Sequence, residues 1–134
     1  MQHQRAEPPL KLDGLAAARS FFSSCFAESD NSRERLWVAH LDNQLNCLHL
    51  TCHDGDERGT DFPLRSIICD AALHQSAAIL LAHNHPSGDV TPSAGDKRAT
   101  ARLACAAEAL DCSIVDHLVF AGPDCSSFRQ LGYL

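Results

Sequence analysis

Four residues in the middle of the chain have types and spacing suited to metal chemistry. His83 and His85 are separated by one residue, Ser93 follows after seven intervening residues, and Asp96 after two more. Two imidazoles and one carboxylate are the donor set of a catalytic zinc site, in which three protein ligands leave a fourth position open for reaction. Pro86 and Gly88, inside His83-Asn84-His85-Pro86-Ser87-Gly88, turn the chain away after the histidines, as an open site at a strand end requires. Ser93-Ala94-Gly95-Asp96 reads in a second way too, as a capping box opening a helix. Capping accounts for Ser93 and Asp96 but leaves the histidine pair and its turn unexplained.

The surrounding pattern predicts the elements that position these groups. Residues 1–12, with Pro8-Pro9, read as a flexible arm before a single domain over 13–134. A helix follows with Asp13 as N-cap and Leu15, Ala18, Phe22 and Cys25/Phe26 on its inner face. Residues 34–42 alternate as a strand, and Asp42-Asn43-Gln44 reads as a hairpin turn into a second strand over 45–52. An acidic loop spans 53–61. A helix then runs from Pro63 to about Gln75 with Ile67/Ile68 and Ala71/Ala72 as its apolar face. Ala77 to Ala82 is continuously apolar, the mark of a strand buried on both sides, and the histidines sit at its C-terminal end. A helix over about 93–110 offers Ala99, Leu103, Ala106/Ala107 and Leu110 as its stripe, and a strand over 114–120 carries Asp116 and His117. The tail over 126–134 is short and half apolar. The order αββαβαβ implies a mixed α/β layer fold with a central sheet.

Composition bounds the function. The 134 residues make one domain, 45% hydrophobic and 21% charged, and the apolar run at 77–82 is too short to span a bilayer. The polar N-terminus lacks the apolar core of a secretory signal. Seven cysteines without disulfide-like spacing suggest buried thiols in a reducing cytoplasm. A net charge of −6 argues against non-specific nucleic-acid binding, and Lys97, Arg98 and Arg102 read as a solvated helix face.

The order and spacing of His83, His85, Ser93 and Asp96 resemble the JAMM metal motif of JAB/MPN domains, and the His-Asn-His-Pro-Ser-Gly wording is similar to the RadC branch. The likeness runs from about residue 33 to the C-terminus and takes in Pro63, Asp116-His117, Ser127-Phe128 and Gly132-Tyr133. It implies a JAB/MPN, cytidine-deaminase-like α/β fold with a mixed central sheet flanked by helices. It further implies one Zn2+ held by His83, His85 and Asp96. The segment from Glu34 to Asp42 resembles the RadC segment that opens with the family's general base, which points to Glu34. Ser93 matches the family serine that steadies the tetrahedral intermediate. The implied activity is zinc-dependent hydrolysis of an amide bond in a protein or peptide substrate, with Glu34 taking a proton from the attacking water and returning it to the leaving nitrogen.

Two other classes stand beside this one: a non-catalytic interaction module stabilised by zinc, and a DNA-repair or DNA-processing accessory factor of the kind attached to the RadC name. Longer RadC proteins carry a helix-hairpin-helix region, whereas the thirty or so residues before the resembling part here hold no glycine-centred hairpin suited to phosphates. Asp116 and His117, polar residues in an apolar strand, read either as partners orienting a ligand imidazole or as a structural hydrogen bond. The sequence has Pro-Leu-Arg at 63–65 where many relatives have adjacent Pro-Arg, so Arg65 carries no role. Cys47, His49, Cys52 and His53 do not form a second metal site, because alternation puts Cys47 and His49 on one face and Cys52 on the other. No cysteine sits in a setting that marks a nucleophile.

Overall fold

Strand β3 (Ala78–Asn84) is buried along its whole length, as its continuous apolar run requires, and it occupies the middle of the sheet. The computed structural model describes residues 10–55 and 62–134. Helix α1 (Leu15–Ala27) leads to β1 (Arg35–Leu41) and β2 (Cys47–Asp54), then α2 (Leu64–Leu73), β3, α3 (Ala94–Glu108), β4 (Ser113–Ala121), β5 (Asp124–Ser127) and a short α4 (Phe128–Leu131). The five strands lie in the order β2-β1-β3-β4-β5. All neighbours are antiparallel except β3 and β4, which are parallel and joined through α3. The architecture is therefore the mixed α/β sheet with flanking helices expected from the sequence.

The two faces of the sheet are covered separately. Ala18, Phe22 and Phe26 of α1 pack on Ala39, Leu41, Leu80, Ala82, Leu118 and Phe120. On the other face Ile67 and Ala71 of α2, with Leu103 and Ala107 of α3, cover Leu36, Val38, Ile79, Leu81 and Ile114. Register decides where chemistry can happen. Leu36 of β1 pairs with His83 of β3, so the residue entering β1 lies beside the histidine end of β3.

Several local expectations shift. Residues 10–12, expected in the flexible arm, pair with the β2 hairpin: Lys11 bridges Asn46, the Leu12 amide donates to Leu45 O, and Leu12 is buried. Residues 1–9 and the acidic stretch 56–61 lie outside the described residues. Gly14, not Asp13, caps α1, at φ +95° and with no side-chain hydrogen bond, because that dihedral favours glycine. The turn after β1 is longer than expected. The Asp42 carboxylate accepts the amides of Gln44 and Asn46, and β2 starts only at Cys47. Helix α2 ends at Leu73; Ile67 and Ala71 are buried, Ile68 is half-buried against the same cluster, and of the expected apolar face only Ala72 is exposed.

The buried stripe of α3 is Asp96, Thr100, Leu103 and Ala107: Leu103 and Ala107 are as expected, Thr100 takes the inward place expected of Ala99, and Leu110 lies past the helix end. The C-terminal tail adds β5 and α4, which periodicity did not announce. Side-chain bonds hold them: Asp116 accepts Ser127 Oγ–H at 2.6 Å and the Arg129 amide at 3.0 Å.

His40, fully buried on β1, has its Nδ1 2.9 Å from Ser76 Oγ, and its Nε2 has no partner among the described residues. Burial pushes this imidazole down to about 4, against the pull of Asp70 and with the help of His49, His74 and His53. The unfolded chain thus binds a proton between pH about 6.5 and about 4 that the native state refuses, so stability falls as pH falls through that window. The expected loss from His40 is about 3 kcal/mol. Urea unfolding of the metal-free protein at pH 7 and pH 4.5 measures it, and His40→Gln should reduce the difference, leaving the share of the buried His117. An equal pH dependence in the variant would refute the assignment.

Candidate metal centre

At the C-terminal end of β3 the side chains of Glu34, His83, His85 and Asp96 bring one potential ligand atom each to within 4.8 Å of one another. Tetrahedral bonds of about 2.0–2.1 Å place donor atoms roughly 3.4 Å apart. The separations here bracket that value: His83 Nε2 is 2.8 Å from His85 Nε2, 3.3 Å from Asp96 Oδ2 and 3.5 Å from Glu34 Oε1. His85 Nε2 lies 3.1 Å from Asp96 Oδ2 and 3.9 Å from Glu34 Oε1. The set fits a first-row divalent ion such as zinc.

Asp96 supplies a second sign of fit. Its side chain is fully buried, yet Oδ1 has no hydrogen-bond partner among the described residues. An orphaned carboxylate oxygen in the interior is costly unless something positive completes it. Asp96 is also where the two readings of Ser93-x-x-Asp96 meet. Its Oδ2 accepts the Ser93 amide at 2.8 Å, and Ser93 Oγ accepts the Asp96 amide at 3.0 Å, so the capping box is real. The same Oδ2 faces both histidines. Capping and ligand presentation use one carboxylate, placed in the first turn of α3 where the helix dipole favours negative charge. Burial pushes the Asp96 carboxyl up, but the hydrogen bonds from His83 and His85 outweigh it and hold it well below the usual carboxylate range. Reciprocally, the Asp96 hydrogen bond raises His85 against its own burial.

Both imidazoles present Nε2, and their Nδ1 atoms are held from behind. His85 Nδ1–H donates to Asp89 O at 2.7 Å, across the turn that Gly88 closes with its amide on His85 O. Gly88 sits there at φ +89°. His83 Nδ1 lies 2.6 Å from His117 Nε2, and His117 Nδ1 lies 2.7 Å from Thr100 Oγ1. Thr100 in turn donates to Asp96 O at 2.8 Å. One proton arrangement leaves the His83 Nε2 lone pair free: His83 donates to His117, His117 to Thr100, and Thr100 to the helix carbonyl. It needs a neutral His117, and burial pushes that imidazole well below the usual histidine range. Phe128 stacks on the His117 ring at 4.4 Å and Phe62 meets its edge at 5.3 Å, fixing its plane.

The structure therefore gathers His83, His85, Asp96 and Glu34, with Ser93 exposed at the rim on the N-cap of α3. Of the pair flagged on β4, His117 reaches a ligand and Asp116 does not. Asp116 points to the other face and ties down β5 and α4. Thr100 and Asn84 were not singled out by sequence. Thr100 stood four residues after Asp96 on the same helix face, the only signal available for it.

Cys47 and His49, expected on one face of β2, lie on opposite faces. The register slips between His40 and Leu41, so Cys47 packs toward the α1 side while His49 stacks on His74 at 4.1 Å across the sheet. All seven cysteines are unpaired, but only Cys112 is buried, against the expectation of mostly buried thiols, and Cys52, Cys69 and Cys105 are exposed. Partial or full burial raises the thiols of Cys25, Cys47, Cys52, Cys112 and Cys125, which disfavours a thiolate nucleophile at those positions. No helix among the described residues is long and apolar enough to cross a membrane.

Residues 13–133 match the family model described as the RadC-like JAB domain. The match takes in α1, ahead of the region where the likeness was read from sequence. Similar proteins include UPF0758 protein YkfG of Escherichia coli (strain K12), 39% identical over 129 residues that make up 96% of this chain and 80% of that protein. UPF0758 protein YeeS of the same strain is 36% identical over 129 residues, 96% of this chain and 86% of YeeS. UPF0758 protein YfjY, also of that strain, is 38% identical over 103 residues, 76% of this chain and 64% of YfjY.

Proposed function

Since this chain belongs to the RadC-like JAB domain family, we propose that it is a zinc-dependent hydrolase that cleaves an amide bond in a protein or peptide substrate. The observation that carries this reading is the convergence of Glu34, His83, His85 and Asp96 at one strand end, with a buried carboxylate oxygen of Asp96 unpartnered among the described residues. His83, His85 and Asp96 would hold the ion, which when bound supplies Lewis acidity toward a carbonyl and toward water. Glu34, partly exposed and with Oε1 3.5 Å from His83 Nε2, is placed to take a proton from the attacking water and deliver it to the leaving nitrogen. Ser93 Oγ accepts the Asp96 amide, which leaves its own hydrogen free to donate to an oxygen that gains charge.

A pocket of about 440 Å³, lined by Phe26 and Phe120 with Ser23, Asn31 and Asn84, meets the centre only at His85; Glu34, His83, Ser93 and Asp96 do not line it. The free thiols fit a cytoplasmic setting.

The test is a screen of peptide and isopeptide substrates with the zinc-loaded protein. Hydrolysis should disappear on chelation and return on adding zinc. One bound zinc per chain with no cleavage across the panel would instead support a zinc-stabilised interaction module.

A further inference from the structure

We propose that Asn84, the residue between the two histidines, is the positioning residue that holds Glu34 at the metal centre. The consequence rests on the hydrolase reading, whereas the geometry does not. Alternation along β3 sends His83 toward α3 and Asn84 to the opposite side, where it is buried. Its carboxamide grips the peptide groups on either side of Glu34. The Arg35 amide donates to Asn84 Oδ1 at 2.7 Å, and Asn84 Nδ2–H donates to Arg33 O at 3.0 Å, with a longer contact to Asn31 O at 3.5 Å. Arg33 O belongs to the peptide bond entering Glu34 and the Arg35 amide to the bond leaving it. With both peptide planes held, the direction of the Glu34 Cα–Cβ bond, from which the carboxylate reaches the histidines, is set.

The other side of the same segment is closed by Gly55. Its amide donates to Glu34 O at 2.9 Å, and a Cβ at Gly55 would lie 3.0 Å from that oxygen and 3.3 Å from Glu34 Cβ. Residue 34 is thus fixed between Asn84 and Gly55.

The chemistry requires asparagine. The segment presents one amide donor and carbonyl acceptors to a buried side chain, so the partner must accept at one atom and donate at another within a short reach. Aspartate accepts but does not donate, alanine leaves the Arg35 amide and Arg33 carbonyl without partners, and glutamine adds a methylene that pushes the segment outward. A general base tolerates little displacement, since positioning to within about 0.5 Å separates an active constellation from one that is merely present. One strand residue thereby links the ligand pair to the base: the histidines on either side of Asn84 face the ion, and Asn84 itself sets Glu34.

The test uses wild type, Asn84→Ala, Asn84→Asp, Glu34→Gln and the Asn84→Ala/Glu34→Gln double variant. Amide hydrogen exchange on the metal-free proteins reads the grip directly. In Asn84→Ala the Arg35 amide should exchange at least about tenfold faster while Val38, deeper in β1, stays as slow as in wild type. Parallel acceleration of both amides, or no change in either, would overturn the proposal. Loading with Co2+ reads the consequence. Each protein should bind one ion, and the visible spectrum of Asn84→Ala should move to that of Glu34→Gln, with no further change in the double variant. An Asn84→Ala spectrum identical to wild type overturns the link to Glu34. If wild type binds no Co2+, the hydrolase reading fails and the exchange result still decides the grip. Asn84→Asp keeps the acceptor and loses the donors. Should Asn84→Ala not fold, Asn84→Asp is expected to keep Arg35 protected while shifting the Co2+ spectrum, and an unshifted spectrum sinks the idea.

Discussion

Purified without added metal, the His83→Ala/His85→Ala variant is expected to hold essentially no zinc, against close to one ion per chain in wild type. The size of the effect follows from ligand count. Two of the three proposed donors disappear, and the survivor, Asp96, is already engaged by the Ser93 amide through Oδ2. A single buried carboxylate does not retain a divalent ion against bulk water, because the ion's hydration is replaced only when several donors converge. Elemental analysis measures the content directly. A thermal melt supplies a second readout: an ion that binds only the native state stabilises it by about 2.7 kcal/mol at a free concentration one hundred times its dissociation constant. Wild type should therefore melt higher with zinc than without, while the double variant should not respond. Asp96→Asn should behave like the double variant in metal content but also lose stability without metal, because it weakens the cap of α3. A wild type that takes up no zinc after reconstitution, or a double variant that keeps its ion, would remove the basis of the site.

What could be read from the sequence divides along a physical line. His83, His85 and Asp96 were legible because a strand end, a turn and a helix start put them together within fourteen residues, so residue type and spacing nearly determine their convergence. Glu34 was legible only by resemblance. It reaches the site through the pairing of β1 with β3, and nothing local to residue 34 records that Leu36 will sit opposite His83. The relay behind His83 was half visible. His117 stood out as a polar residue in an apolar strand, but Thr100 was hidden, because Ala99 beside it continued the apolar stripe of Leu103, Ala106/Ala107 and Leu110. The true stripe carries Asp96 and Thr100 inward, where the ligands and His117 meet their polar atoms. The tail was illegible for another reason. β5 and α4 are secured by the Asp116 side chain and by Phe128, which no periodicity encodes. The bulge between β1 and β2, which parts Cys47 from His49, likewise breaks the rule of two on which strand reading depends.

Glu34→Gln is expected to lower kcat by about 10²–10⁴-fold while leaving zinc content near one per chain and KM little changed. The prediction separates two roles that the geometry sets side by side, since Glu34 belongs to the same cluster of donor atoms as the three proposed ligands. Two observations favour the base. Glu34 Oε1 stands 3.5 and 3.9 Å from the histidine nitrogens, farther than Asp96 Oδ2 at 3.3 and 3.1 Å. Its side chain also keeps 26% exposure where that of Asp96 has none. A ligand is drawn in and buried, whereas a base must exchange protons with water and with the leaving group. Glutamine preserves the size and hydrogen-bonding reach of glutamate but cannot take up a proton at neutral pH, so it removes the proton transfer and little else. A base predicts retained metal with lost turnover. A fourth ligand predicts that zinc is lost or much weakened in parallel with activity, because a neutral amide oxygen is a poorer donor to a divalent ion than a carboxylate. Measured on the same preparation, metal content and kcat therefore assign Glu34 to one role or the other, and a variant with unaltered turnover excludes it as the base.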